Sequence, residues 1–79
     1  MTPTEKTARY QIPILRRTLT IQELLASHPE GLSVPDMARR LGYPKNSVYR
    51  ICMTLLETGY MQCDDQKRYS MTHKILALG

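Results

Sequence analysis

Five polar side chains fall within six consecutive positions and could together read a nucleic acid. They are Lys45, Asn46, Ser47, Tyr49 and Arg50. An arginine can bridge the O6 and N7 atoms of guanine, and an asparagine can bridge the N6 and N7 atoms of adenine. Lysine and serine donate hydrogen bonds to phosphate oxygens. This cluster indicates a surface that contacts duplex DNA, provided that a single helix presents the side chains together.

The apolar residues of the same segment predict such a helix, running from Lys45 to Thr58 and ended by Gly59. At 1.5 Å per residue it is about 20 Å long, which is enough to lie along a major groove. Its apolar positions recur at intervals of three and four, as on the buried face of an amphipathic helix: Val48, Ile51, Cys52, Leu55 and Leu56. The five polar residues are then left on the outer face.

A shorter helix is predicted immediately before this one. Ser33 is a suitable N-cap, and Asp36 three residues later can complete a capping box. Gly42 can adopt the left-handed conformation that often ends a helix. The apolar positions again follow helical spacing: Val34, Met37, Ala38 and Leu41. Two helices joined by so short a turn are typical of a helix-turn-helix unit.

A first helix is predicted from Pro13 to Ser27, because proline is favoured in the first helical turn and His28, Pro29 and Gly31 follow as end signals. Its core face is expected to contain Leu15, Leu19, Ile21, Leu24 and Leu25. The polar residues 1–12 are predicted to form a flexible arm.

Beyond the third helix the apolar period changes to two, which predicts a β-hairpin. Residues 60–63 and 68–71 would form its strands and residues 64–67 its turn. Lys67 and Arg68 lie at or next to the tip, where they could reach phosphate or the minor groove, although basic residues also protect hairpin edges from pairing. The alternation places four residues on the core side: Met61, Cys63, Tyr69 and Met71.

Together these elements predict a mainly α fold with a small β-hairpin, a winged helix-turn-helix. It would have a three-helix core and a two-stranded wing over residues 13–72. Residues 73–79 would begin a linker helix.

Length and composition limit the class of function. With 79 residues there is one small domain, and 11 Lys and Arg against 7 Asp and Glu give a net charge of +4. That charge favours a polyanionic partner. The sequence contains no run of about 18 apolar residues, which is the length that a membrane span needs. Its polar start does not resemble a secretory signal. The expected location is therefore the cytoplasm, without a membrane partner.

Catalysis and metal binding are not expected. A chain this short has little room for a substrate pocket beside its core. Cys52 and Cys63 fit neither a disulfide framework nor a zinc pattern, and both are expected to be buried and structural. His28 and His73 have no cysteine or carboxylate at ligand spacing. No cofactor and no enzymatic activity are predicted.

Two segments resemble the IclR family of bacterial transcriptional regulators. They read GLSVPDMARRLGYPKNSVYR from Gly31 to Arg50 and TLLETGY from Thr54 to Tyr60. In that family the N-terminal winged helix characteristically reads GL-S, LA-LG-PKST-hR-L-TL-GY and then a hairpin that ends in YRLG. The resemblance covers the chain from about Ile14 to Gly79.

The resemblance implies a role for each candidate residue. The operator-reading start of the recognition helix would comprise Pro44, Lys45, Asn46, Ser47, Tyr49 and Arg50. Arg50 and Asn46 would read base edges in the major groove, with Tyr49 beside them. Phosphate contacts are expected from the helices and from the wing, through Ser33, Lys45, Ser47, Lys67 and Arg68.

The chain departs from the family pattern at three places. Asn46 stands where serine is commonest and Tyr49 where histidine is usual, so the preferred bases are expected to differ from those of relatives. Residues 69–72 read YSMT in place of YRLG, which removes one wing arginine.

The resemblance also implies a homo-oligomer. Regulators of this type usually bind as dimers to half-sites about one helical turn, or a multiple of it, apart. The first helix offers a candidate pairing surface with Ile14, Leu15 and Ile21. Family members carry an effector-binding domain after the linker, so a small-molecule effector is expected to act only through a domain outside this chain.

Two other functions fit the same fold. A winged helix that binds protein would show an apolar patch on its third helix, whereas the outer positions here are polar and basic. A winged helix that binds RNA would stack bases on aromatic side chains, and Tyr43, Tyr49 and Tyr60 do not line up as a platform.

Overall fold

The computed structural model describes residues 12–74. Within them the chain forms helices and then a hairpin: α1 Pro13–Ala26, α2 Val34–Leu41, α3 Lys45–Glu57, β1 Met61–Cys63 and β2 Tyr69–Met71. The two strands pair antiparallel, with Met61 opposite Met71 and Cys63 opposite Tyr69. This is the predicted winged helix-turn-helix. Nearly all of the predicted arm, and residues 75–79 of the predicted linker, lie outside the described residues.

The core lies between the three helices and the inner side of the wing. Its most deeply buried side chains come from all three helices: Ile21, Leu25, Met37, Val48 and Cys52. Met61 and Tyr69 add the wing to the same cluster. The helical spacing predicted for α2 and α3 is confirmed for most positions, since Met37, Ala38, Val48, Ile51, Cys52 and Leu55 are buried. Leu56, which was predicted to lie on the same buried face, is 36% exposed, and that part of the prediction is wrong.

The short helix α2 begins and ends as its capping residues predict. Ser33 Oγ accepts a hydrogen bond from the N–H of Asp36 at 3.3 Å. Gly42 adopts φ +71° and donates its N–H to the carbonyl of Ala38 at 2.9 Å. In a capping box the Asp36 carboxylate would accept the backbone N–H of Ser33. Here the carboxylate pairs instead with Arg39, one turn further along α2.

The core face of α1 is narrower than predicted. Ile21 and Leu25 are buried, but Leu15 and Leu19 are 52% and 53% exposed. The step from residue 19 to residue 21 turns the helix by about 200°, so these two positions point to different sides. The prediction that Leu15 and Leu19 belong to the core face is therefore wrong.

The wing is joined to the segment before α2. Leu32 donates its N–H to Tyr69 O at 3.0 Å, and Tyr69 donates its N–H to Leu32 O at 2.8 Å. Gly31, next to this bridge, adopts φ +89°. The hairpin is thus held by backbone bonds on both sides of β2.

Cys63 is an exception to the alternation of buried and exposed residues predicted for the wing. Met61 and Tyr69 are buried and Met71 is half-buried, but Cys63 is exposed. Cys63 and Tyr69 form the last pair before the turn. The Cys63 thiol donates to Asp64 O at 3.5 Å in the turn, whereas Tyr69 belongs to the core cluster. The prediction that Cys63 is buried is therefore wrong.

Candidate nucleic-acid interface

The first two turns of α3 present a polar face to solvent. Lys45, Asn46, Tyr49 and Arg50 are exposed, and Ser47 is half-buried. The intervening Val48 is completely buried, which fixes the direction in which the helix faces. The structure therefore brings the five clustered residues onto the outer arc of one helix.

The N-terminus of α3 is suited to an anion. Pro44 occupies the N-cap position and provides no side-chain hydrogen bond, and the first turn contains no acidic residue. The partial positive charge of the helix end and the adjacent Lys45 therefore favour a phosphate group at this place. Asn46 Oδ1 accepts the N–H of Ser47 at 3.0 Å. Asn46 would have to release this bond to read adenine with both amide atoms.

Arg50 projects from the second turn of α3 beside the start of α1. Together with Ile14, Ile51 and Thr54 it lines a shallow recess between the two helices. No ion pair or hydrogen bond of the Arg50 guanidinium with another side chain is formed within residues 12–74. The guanidinium of Arg50 is therefore available to a ligand.

Ser33 lies at the start of α2. It is half-buried, and its oxygen already serves as the N-cap acceptor for Asp36. A phosphate contact by Ser33 would consequently use the hydroxyl hydrogen and leave the cap in place.

Asp64 organises the turn of the wing. Its Oδ1 accepts the N–H groups of Gln66 and Arg68, and its Oδ2 accepts the Nε–H of Arg68, each at 2.9 Å. Lys67 lies between these residues with φ +60° and is exposed. Of the two basic residues predicted at the tip, Arg68 thus gives part of its guanidinium to the wing itself.

The pairing of Asp64 predicts that the wing loosens in acid. The hydrogen bonds from Arg68 lower the pKa of Asp64, those from its backbone N–H foremost. A carboxyl group with a lowered folded-state pKa stabilises the fold above its unfolded pKa, and this contribution is lost as the pH falls through the folded value. We expect the protection of the Gln66 and Arg68 amides, relative to the intrinsic exchange rate at each pH, to fall below about pH 4. NMR-detected hydrogen exchange measures this change.

The control for this prediction is the neighbouring residue. Asp64→Asn should speed exchange of the same amides already at neutral pH, while Asp65→Asn should leave them unchanged. Equal effects from the two variants would contradict the role of Asp64.

One contact beside the interface was not predicted. The guanidinium of Arg17 lies 5.1 Å from the centre of the Tyr43 ring, within the range of a cation–π interaction. Tyr43 directly precedes Pro44, so this contact supports the turn before α3. A tyrosine at that turn was visible in the sequence, but nothing there showed that a residue of the first helix would cover it.

The cysteines add no chemistry to the interface. Both are free, with Cys52 buried and Cys63 exposed. Burial raises the pKa of the Cys52 thiol to about 12, which keeps it protonated and unreactive. In the part of the chain that the structure describes, no three His, Cys, Asp or Glu side chains are grouped as metal ligands, and no helix has the length and apolar character needed to cross a membrane.

Two helices joined by a tight turn, a polar and basic face at the start of the second, and a hairpin after it define a winged helix-turn-helix domain. The model of the IclR helix-turn-helix domain matches residues 14–65. The chain belongs to this family. It is accordingly a DNA-binding domain of the kind used in transcription regulation.

Solved structures support the same assignment. The IclR transcriptional regulator from Alicyclobacillus acidocaldarius is 27% identical with a TM-score of 0.80, over 87% of this chain and 28% of that chain. An IclR family transcriptional regulator from Brucella abortus is 28% identical with a TM-score of 0.82, over 96% and 30%. The Thermotoga maritima IclR shares the fold, with a TM-score of 0.75 and 20% identity over 86% and 28%.

This chain therefore spans less than a third of the length of these regulators. No curated protein matches it.

Proposed function

We propose that this chain reads an operator by placing α3 in the major groove of duplex DNA, with the wing on the flank of the site. The polar outer face at the start of α3, opposite the buried Val48, is the observation that carries this proposal. In it Arg50 and Asn46 contact base edges, with Tyr49 beside them. The backbone of the DNA is held by Ser33, Lys45 and Ser47 and, on the flank, by Lys67 and Arg68.

Two features support DNA binding through α3. The net charge of +4 favours approach to a polyanion. Among residues 12–74 the large exposed apolar side chains lie in the first half of α1 or directly before it, apart from Tyr49 and Leu56 on α3. The third helix therefore lacks the apolar patch expected of a protein-binding winged helix. We place the domain in the cytoplasm, where it meets its operator, with any effector sensed outside this chain.

A fluorescence titration tests the proposal. The chain is titrated with a generic duplex and with single-stranded RNA over a series of salt concentrations. We expect tighter binding of the duplex, with a log affinity that falls steeply and linearly with log salt because bound cations are released from the phosphates. Preferential binding of the RNA, or duplex affinity that does not change with salt, would contradict it.

We further propose that the chain pairs with a second copy through α1. Ile12, Ile14, Leu15 and Leu19 are each 50–57% exposed along one helix, which is costly for a surface in contact with water. Ile21, which the sequence placed in this surface, is completely buried and cannot take part. The proposed pairing surface therefore comprises exposed apolar side chains of residues 12–19, and Ile21 is removed from it.

Sedimentation or light scattering measures this pairing. Leu15→Glu should shift the chain to the monomer and weaken duplex binding, because a charge cannot be buried in an apolar interface without a partner. Glu23→Gln on the same helix serves as the control. A chain that is monomeric at all concentrations, with and without duplex, would refute pairing through α1.

A further inference from the structure

Helix α3 ends in a motif that leaves several carbonyl groups without helical partners. Tyr60 donates its N–H to Leu55 O at 2.9 Å, and Gly59 donates its N–H to Leu56 O at 3.2 Å. These two bonds form a Schellman motif, for which Gly59 supplies φ +86°. The carbonyl groups that come next, those of Thr58 and Gly59, take no part in these two bonds and need other donors.

The segment that follows β2 supplies these donors. The Lys74 ammonium donates to Thr58 O at 2.6 Å, and the Thr72 hydroxyl donates to Gly59 O at 2.6 Å. The Thr72 N–H donates to Tyr60 O at 3.2 Å, which extends the pairing of the hairpin by one residue beyond Met61 and Met71. The Lys74 ammonium also lies 4.9 Å from the centre of the Tyr60 ring. Its charge is placed at the negative end of the helix dipole, where a cation is stabilising.

Thr72 has a second role at the same point. Its Oγ1 accepts the N–H of Lys74 at 3.3 Å, which is the geometry of an N-cap. One hydroxyl group therefore joins the end of α3 to the turn in which the chain leaves the hairpin. The direction of the chain at Lys74 is fixed against the end of the recognition helix.

We propose that Thr72 and Lys74 are positioning residues for DNA recognition, which tie the C-terminal end of α3 to residues 72–74 after β2 and so hold α3 at the angle at which it reads its groove. This inference rests on the proposed function, in which α3 reads the DNA. The tie lies at the opposite end of α3 from Lys45 and about two helical turns from Arg50. Neither positioning residue contacts a base.

The length of α3 makes such a tie effective. A tilt of about 5° around Thr58 displaces Arg50, about 12 Å away, by about 1 Å, and displaces Lys45, about 20 Å away, by about 1.7 Å. A binding constellation tolerates displacements of only about 0.5 Å. Small movements at Thr58 are therefore sufficient to misplace Arg50 against its base.

The test compares variants that remove the tie with variants that keep it. Thr72→Val and Lys74→Met remove the hydroxyl and the ammonium, while Thr72→Ser and Lys74→Arg keep a donor. Thr20→Val is the matched control, since Thr20 Oγ1 donates to Arg16 O at 2.9 Å within α1. Thermal unfolding followed by circular dichroism verifies that each variant is folded.

The probes are two duplexes of equal composition. One is selected from a random library by the wild-type chain, and the other is its scrambled sequence. We expect Thr72→Val and Lys74→Met to lower the ratio of the two affinities by about threefold to tenfold. The slope of log affinity against log salt should stay unchanged. Thr72→Ser, Lys74→Arg and Thr20→Val should keep the wild-type ratio.

Two results would overturn the proposal. If Lys74→Met weakens both duplexes equally and reduces the salt slope by about one, Lys74 is a phosphate contact. If neither Thr72→Val nor Lys74→Met changes the ratio, the tie has no part in recognition.

A second readout separates this inference from the proposed function. The Thr72 amide should exchange up to about tenfold faster in Lys74→Met, because the adjoining bonds of the tie weaken together. A wild-type chain without duplex preference would refute the proposed function, while an unchanged Thr72 exchange rate would refute the tie.

Discussion

Replacing Arg50 by alanine is expected to weaken binding to the preferred duplex by about 1–3 kcal/mol and to relax the choice of base at one position. Arg50 is exposed on α3, and no ion pair with residues 12–74 engages its guanidinium. A bidentate contact with guanine would therefore form without the loss of an existing bond. Selection of duplexes by the variant, followed by titration of the recovered sequences, measures both effects.

Two matched variants show whether the effect belongs to base reading. Arg39→Ala removes the same charge from α2, where the side chain is paired with Asp36, and should cost little affinity. Lys67→Met removes a charge from the wing tip and should weaken all sequences similarly while reducing the salt slope by about one. If Arg50→Ala behaves like Lys67→Met, Arg50 contacts phosphate and its assignment to a base is wrong.

Gly31→Ala is expected to destabilise the domain by about 2–4 kcal/mol, since the left-handed backbone and the tight packing add their costs. Gly31 has φ +89°, and an added Cβ would lie 3.0 Å from Tyr69 O and 3.1 Å from the Cβ of Arg68. Tyr69 O is fixed by its hydrogen bond from Leu32. The backbone of the wing cannot move away without weakening this bridge. Urea unfolding at constant pH measures the loss of stability.

Gly42→Ala provides the matched comparison. Gly42 also has a positive φ, +71°, but an added Cβ would meet no atom within 4 Å. Its substitution should cost only about 1 kcal/mol, the price of the left-handed conformation. Equal losses from the two variants would show that the wing does not press against Gly31.

The helices of this domain could be predicted because their signals are local. Ser33 and Gly42 act as end signals for α2, and they do so through bonds to residues only three or four positions away. Spacing alone predicts the buried face of α3 at Val48, Ile51, Cys52 and Leu55, and it is wrong only for Leu56 at the edge of that face. The polar cluster from Lys45 to Arg50 was placed correctly on the outer arc for the same reason, since a helix with one buried face leaves the remaining positions to solvent.

The errors arise where a position depends on distant parts of the chain. Leu15 and Leu19 have helical spacing, but which side of α1 is covered depends on where α3 and the wing pack. The exposure of Cys63 depends on how far the hairpin extends past the helices. The same holds for the contacts of Lys74 with the end of α3, whose partners are distant in sequence.

The sequence predicted which residue types form the candidate interface. It did not predict the hydrogen bonds that these residues make with other groups of the protein. Arg68 has the charge expected of a wing contact, but its bond to Asp64 depends on the shape of the turn, which places both groups on one side. Asn46 has the chemistry for adenine, but its amide oxygen is already bonded to Ser47 N–H. Composition and spacing identify a donor without showing whether another group of the protein already holds it.

The bridge between Leu32 and Tyr69 has a consequence for the order in which the domain is made. Leu32 is buried, and its N–H and C=O are bonded to Tyr69. During synthesis the residues that begin α2 leave the ribosome long before Tyr69 does. Until Tyr69 arrives, burying Leu32 would leave these two backbone groups without their partners, which is energetically costly. The three helices can therefore form as the chain emerges, but the domain closes only when the second strand of the wing has been made.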